Sequence, residues 1–267
     1  MAVITLTTDF GSTDHFAAVM KGVILSIAAR ATIVDITHEI APQDLNEGAF
    51  IIGQAWRYFP KKTIHVIVVD PGVGSARRPV LCEAGGHYFI APDNGVLSMI
   101  YDATSAPRTR PKVRVITNPR VMLKNISRTF HGRDVFAPAA AHLARGVAPA
   151  KFGKPVADFI RLAGLKPRQI SPNAWSGAIL KVDHFGNLIT SFSMGDFAAV
   201  KTRPIELRIG AERVRRLALT YTEAEIGEVF AIVGSAGYLE IAANQASAAK
   251  ILGCGAGAEV QLEIFSD

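Results

Sequence analysis

Asp70 closes the apolar run Ile64-His65-Val66-Ile67-Val68-Val69-Asp70 and is followed at once by Pro71-Gly72-Val73-Gly74, so a carboxylate is set where a buried strand must stop. That is the place where α/β sheets keep their chemistry, so the charge there is a candidate for function. The plain alternative is an Asp that caps its own turn through nearby backbone N–H groups. Other reactive residues fall at comparable places. Asp9 lies in Thr7-Thr8-Asp9-Phe10-Gly11 with Asp14 just after it; Asp35 and His38 follow, then Asp93-Asn94, then His131 in Thr129-Phe130-His131-Gly132-Arg133-Asp134. Late in the chain Asp183-His184-Phe185-Gly186-Asn187 forms a further polar cluster. Ligands of α/β sheets bind in the crevice beyond the carboxyl ends of the strands, so polar residues at the ends of several strands point to one shared cleft.

So many Asp and His residues raise the question of a metal, since carboxylate and imidazole suit zinc, manganese or iron. The spacing speaks against it: there is no HExxH, no HxH and no EF-hand loop. A phosphate-transfer site lacks its Walker A sequence, and Gly72-Val73-Gly74-Ser75 leads into Ala76-Arg77-Arg78-Pro79 rather than a helix. Gly253-Cys254-Gly255-Ala256-Gly257 precedes a strand instead of following one, and reads as a turn rather than a nucleotide fingerprint. His142 and His184 take the ordinary reading of surface or packing residues.

Elements of two characters must position these groups. From 1 to about 150 strands and helices alternate, with strands over 3–7, 32–36, 64–70, 80–83, 87–91 and 113–117, and helices over 16–29, 47–59, after Asp93-Asn94-Gly95, and over 135–145. This predicts an α/β domain with a mostly parallel sheet covered by helices. Asn46 is placed to cap the second helix and Asp93 or Asn94 the third. A stretch at 166–173 reads as a linker between an N-terminal domain (1–165) and a smaller C-terminal β-rich, barrel-like domain (174–267). There the short β runs are 177–183, 188–192, 205–209, 229–233, 238–242 and 260–265, with one helix near 247–252.

The bulk properties set limits. With 267 residues, 49% hydrophobic and 19% charged, the chain can bury a large core. Cys82 and Cys254 are its two cysteines, far apart, which suggests neither a disulfide framework nor a cysteine metal site and fits a reducing cytoplasm. No run approaches the ~20 apolar residues of a membrane span, and the N-terminus opens directly on a strand, so no leader and no membrane contact are expected. The net charge of +6 comes partly from basic clusters at 108–120 and 203–216, but these lack interleaved aromatics, and a solvated basic face is expected rather than nucleic-acid binding.

Taken together, Thr8-Asp9-Phe10-Gly11, Asp35-Ile36-Thr37-His38, Val69-Asp70-Pro71-Gly72-Val73-Gly74, Ala91-Pro92-Asp93-Asn94-Gly95, Thr129-Phe130-His131-Gly132-Arg133-Asp134 and Asp183-His184-Phe185-Gly186-Asn187 resemble, in order, the motifs of the S-adenosyl-L-methionine (SAM) hydroxide adenosyltransferase family, which is related to the SAM-dependent fluorinase and chlorinase. The resemblance implies a hydrolase in which water or hydroxide displaces L-methionine from C5′ of SAM, giving adenosine and L-methionine. It implies no cofactor and no metal, SAM itself being the substrate, and a homotrimer with sites shared between the N-terminal domain of one subunit and the C-terminal domain of the next. By motif position Asp70, Arg77 and His131 are the catalytic residues, with Arg78 a neighbouring alternative to Arg77. Asp9 matches a ligand of the ribose hydroxyls, Phe130 the ribose pocket, Asp14 and Asp183 partners of the methionine ammonium, Ser235 a partner of its carboxylate, and Phe185 and Asn187 the adenine site. Two positions depart from the fluorinase, Ala236 where it has Arg and Phe16 where it has Ser, which leaves the holding of the methionine carboxylate open.

That chemistry suits the residue types. A sulfonium leaves as a neutral thioether and needs no acid, so the proton of the nucleophile is the one to be handled. The halogenases carry a Tyr where Asp70 stands, and a carboxylate repels a halide. Two rival readings remain, a SAM-dependent halogenase on the same fold and a sensor that binds SAM or adenosine without turnover.

Overall fold

In the computed structural model, which describes residues 2–105, 110–163 and 165–265, the chain divides into two compact units, Met1–Leu162 and Ala163–Asp267. The first holds a seven-stranded sheet. Its strands are β1 (Val3–Thr8), β2 (Thr32–Thr37), β3 (Ile64–Val68), β4 (Pro79–Ala84), β5 (His87–Pro92), β6 (Lys112–Val115) and β7 (Pro155–Val156), in the order β2-β1-β3-β5-β4-β6-β7. Pairings from β2 to β5 are parallel; β4 and β5 form an antiparallel hairpin, and β6 and β7 extend it antiparallel. All five residues of β3 are buried, as expected of a strand covered on both faces.

Helices flank this sheet: α1 (Phe16–Ile27), α2 (Leu45–Ala55), α3 (Ser98–Ala103) and α4 (Ala137–Ala144). In α1 the buried residues are Ala17, Met20 and Ile24, an i, i+3, i+7 stripe, of which Met20 and Ile24 pack in one core with Ile4, Leu6, Val66, Phe136 and Phe152. A second core on the other face gathers Ile52, Trp56, Ile67, Val69, Phe89 and Tyr101. The cap of α2 is Asp44, whose carboxylate accepts from Glu47 N at 2.9 Å, and not Asn46, which lies inside the helix. No side chain caps α3: Asn94 accepts from Val96 N in the loop before it, while Asp93 is committed elsewhere. A single π-helical turn, Gly132–Phe136, opens into α4.

The second unit holds β8 (Arg168–Ser171), β9 (Ala174–Val182), β10 (Leu188–Ser193), β11 (Ile205–Ile209), β12 (Glu212–Val214), β13 (Leu217–Ala218), β14 (Val229–Val233), β15 (Tyr238–Ala243) and β16 (Glu259–Ile264), with one helix, α5 (Ala248–Leu252). They form one nine-stranded sheet, antiparallel except where β13 meets β14. Strands near both ends of its order, β12 and β14, feed one hydrophobic cluster through Val214 and Ala231, so the sheet curls around its core. β8 falls in the stretch that reads as linker and pairs with β9.

The basic cluster at 203–216 is largely spoken for. Arg208 and Arg215 both bond the buried Glu206, and Arg216 holds Glu228 through two bonds of 2.8 Å. Of the cluster at 108–120, Arg108 lies outside the described residues. Among the described residues no helix is long and apolar enough to cross a membrane, and Cys82 and Cys254 are both free.

Candidate functional site

β3 ends at Val68, two residues short of Asp70, because the next carbonyl leaves the ladder: Val69 O accepts from the Asn94 side chain at 2.8 Å. That bond, from the loop after β5, ties down the start of the segment carrying Asp70. The chain then turns, with Val73 N bonding Asp70 O at 3.2 Å and Ser75 N bonding Gly72 O at 3.1 Å. Gly74 has φ +78, and a Cβ there would sit 2.3 Å from the Arg128 carbonyl oxygen, so only glycine lets this turn lie against the segment leading to His131.

The turn delivers Arg77 back to Asp70. Arg77 Nε donates to Asp70 Oδ1 at 2.9 Å and Nη2 donates to Oδ2, a two-pronged grip in which both side chains are almost wholly buried. The same Nη2 donates to His131 Nδ1 at 2.8 Å. Arginine only donates, so Nδ1 accepts and the proton of the neutral ring sits on Nε2. Burial first, then the Arg77 charge, holds the His131 pKa below its usual value, which favours that neutral ring. Arg78, next in sequence, is engaged elsewhere, with Asp93 through Nε at 2.9 Å and with Asp158 at 2.9 Å. The geometry thus separates the two arginines that the sequence left as alternatives.

Asp70 and His131 face a cavity of about 360 Å³ whose other walls include Asp9, Phe10, Phe16 and Phe130. Arg77 is not in its lining; it stands behind and clamps the two residues that are. Phe16 and Phe130 meet edge to face at 5.2 Å, and Phe10 packs against both, so Phe16 is part of an aromatic wall. Asp9 accepts from Gln43 N at 2.9 Å. Its pKa is raised, chiefly by burial, with the nearby Asp70 carboxylate adding to it. Asp35 and His38 form a separate network with Lys21 and Thr8. Asp14 is exposed and outside the cavity lining.

In the second unit the turn after β9 is organised by Asp183. Its Oδ1 accepts from Phe185 N and Asn187 N at 2.9 and 2.8 Å, and its Oδ2 from Asn187 Nδ2 at 2.8 Å. Gly186, at φ +87, approaches Ser247 so closely that a Cβ would come within 2.1 Å of Ser247 Oγ, which seats the turn on the start of α5. The result is a cavity of about 650 Å³ lined by Phe185, Asn187, Tyr221, Asn244 and Ser247. Ser235 is exposed and not in that lining.

Tyr221, Asn244 and Glu240 were not singled out by the sequence. The first two sit in segments without a motif. Glu240 is a buried carboxyl with no hydrogen bond or ion pair among the described residues, and burial, with Asp183 nearby, raises its pKa to about 7. Leu239, Ile241 and Ala243 of β15 face the main core of the unit, so alternation puts Glu240 on the opposite face with Ala242, and no local signal announced its burial. Among the described residues no three His, Cys, Asp or Glu side chains converge as metal ligands.

The arrangement can hold a water against a carboxylate in one unit and a flat ring against Phe185 in the other. Comparison with known proteins agrees with that chemistry. The N-terminal domain of the SAM hydroxide adenosyltransferase family matches residues 4–153 and its C-terminal domain residues 177–261. An (R)-S-adenosyl-L-methionine hydrolase of Salinispora arenicola is 38% identical over 93% of this chain and 93% of its own. A fluorinase of Actinoplanes sp. is 30% identical over 91% of both. The crystal structure of an uncharacterized conserved protein from Thermotoga maritima superposes with a TM-score of 0.89 at 33% identity, covering 97% of this chain and 99% of that one.

Proposed function

The chain belongs to the SAM hydroxide adenosyltransferase family, and from that premise we propose that it is a hydrolase converting SAM and water to adenosine and L-methionine. The observation that carries the reading is the pair Asp70 and His131, side by side at one cavity wall and both gripped by Arg77.

The step balances simply. The water oxygen attacks C5′ of the ribose, the C5′–S bond breaks, and its electron pair stays on sulfur, which departs as the thioether of methionine. The water's proton passes to Asp70 and then to solvent. His131 has its Nδ1 lone pair engaged by Arg77, so it serves as a donor through Nε2 and orients the oxygen, while Asp70 is the acceptor. Arg77 is a positioning residue that fixes both. Attack by an anionic oxygen on a sulfonium removes charge, and the aromatic wall of Phe10, Phe16 and Phe130 keeps water from damping that gain. Neutral departure of the thioether means that neither a metal nor a cofactor is required.

Asp9 takes the ribose hydroxyls and Phe130 borders the sugar. Phe185 stacks on adenine, and Asn187 offers the carbonyl oxygen left free by its bond to Asp183. Asp183 and Asp14 balance the methionine ammonium, with Ser235 toward its carboxylate. The active assembly is a homotrimer in which each site takes its two halves from different subunits, and two free cysteines suit a cytoplasmic protein.

Turnover of SAM in halide-free buffer made with ¹⁸O water tests this. Label is expected in the 5′-hydroxyl of adenosine and none in methionine. Absence of adenosine overturns the reading, and 5′-chloro-5′-deoxyadenosine formed on adding chloride would favour a halogenase instead.

A further inference from the structure

At the N-terminal ends of β3 and β5, away from the strand ends that carry Asp9 and Asp70, lies a cavity of about 500 Å³ lined by Lys61, Lys62, Arg110, Lys112, His87 and Glu83. Four cations face one carboxylate there, and none of the five makes an ion pair among the described residues. The four cations are exposed, and like charges around one cavity repel one another less when an anion lies among them.

Two features mark the place as built. Lys62 occupies the third position of the turn Pro60 to Thr63, closed by Thr63 N on Pro60 O at 3.2 Å, with φ +67, a left-handed conformation that glycine or asparagine would adopt with less strain. Keeping a lysine there suggests that its charge is used. His87 is 1% exposed, lines the cavity, and its Nε2 has no partner. Its other nitrogen meets His65 Nε2 at 3.2 Å, and His65 Nδ1 meets Thr5 Oγ1 at 2.8 Å, so a buried chain of polar groups crosses β5, β3 and β1 and ends at the unpartnered His87 Nε2. An unpaired buried donor or acceptor is costly, and an occupant that bonds it removes the cost. Lys61, Lys62 and Tyr88 also wall an adjoining, mostly apolar cavity of about 420 Å³.

We infer that the basic cavity binds a phosphate group, with Lys61, Lys62, Arg110 and Lys112 around its oxygens and His87 Nε2–H donating to them. The phosphate is carried either free or by a nucleotide whose flat base lies in the adjoining apolar cavity.

Calorimetric titration of the full chain with inorganic phosphate and with AMP tests this, beside the variants Lys62→Gly and Lys112→Glu. Saturable binding is expected, weakened about tenfold in each variant, as for a lost charge-assisted hydrogen bond. Lys62→Gly relaxes the left-handed turn, so its melting temperature should equal or exceed that of the parent, and loss of binding cannot then be laid to misfolding. AMP binding well above phosphate identifies the nucleotide as the source; equal binding identifies free phosphate. ¹⁵N resonances of His87 should move to the Nε2–H form on adding phosphate. No saturable binding of either probe, variants that bind like the parent, or an unmoved His87 resonance overturns the proposal.

Discussion

The 2.8 Å bond from Arg77 Nη2 to His131 Nδ1 decides which histidine nitrogen carries the proton, because arginine has nothing with which to accept. A ring fixed in this way is a poor base toward the cavity and a good donor. Asp70, held by the same side chain, keeps lone pairs to spare, and the division of labour follows from one nitrogen bonded twice.

Asp70→Asn keeps the size of the side chain and removes its basicity. Turnover of SAM should fall about 100-fold or more, the range of a positioned base, while the dissociation constant for SAM by calorimetry changes little. Retention of near-full turnover would sink the assignment.

Gly74→Ala places a methyl group against the Arg128 carbonyl at a backbone angle that alanine disfavours. Strain and overpacking together predict a loss of about 2 kcal/mol or more in urea unfolding. If stability is unchanged, the close approach of these two segments is not as described.

Phe185 is 76% exposed, so truncation to alanine should leave the fold intact within about 0.5 kcal/mol. Lost base stacking should raise KM for SAM about tenfold, with kcat much less affected. A stability loss matching the kinetic loss would instead make Phe185 a packing residue.

Glu240 supplies a pH dependence. Its folded pKa of about 7 lies above the ordinary value of 4.5, so the folded state holds this proton across a range where the unfolded chain has released it. Stability from this group is therefore lost as pH rises from 4.5 through 7. Glu240→Gln should be more stable than the parent by about 2 kcal/mol at pH 8, with the difference closing toward pH 5. A difference that does not vary with pH would refute the burial argument.

Periodicity and residue type made much of this architecture legible. The all-apolar run ending in Asp70 reads as a buried strand, and the short runs of the second unit, separated by glycine turns, read as strands. What stayed hidden depends on contacts distant in sequence. β3 stops at Val68 because Asn94 takes the next carbonyl, and nothing local to residues 64–70 announces it. The choice between Arg77 and Arg78 rests on Asp158, eighty residues downstream of Arg78. β12 is three residues, two of them charged and exposed, and β13 is only two residues long, so neither carries enough alternation to register. Asp14 and Ser235 matched motif positions, yet within their own units both lie on the surface, outside the cavity linings.

The buried file Thr5–His65–His87 admits two arrangements of protons on one set of heavy atoms. In one, every proton points toward His87 and its Nε2 presents N–H; in the other, every proton points back toward the Thr5 hydroxyl and His87 Nε2 is a bare nitrogen. Burial keeps both rings uncharged, so the two arrangements differ only in the direction of a dipole laid across three strands. Whatever settles on His87 therefore reverses or confirms that dipole without moving a carbon atom, an event that nitrogen spectroscopy reads directly.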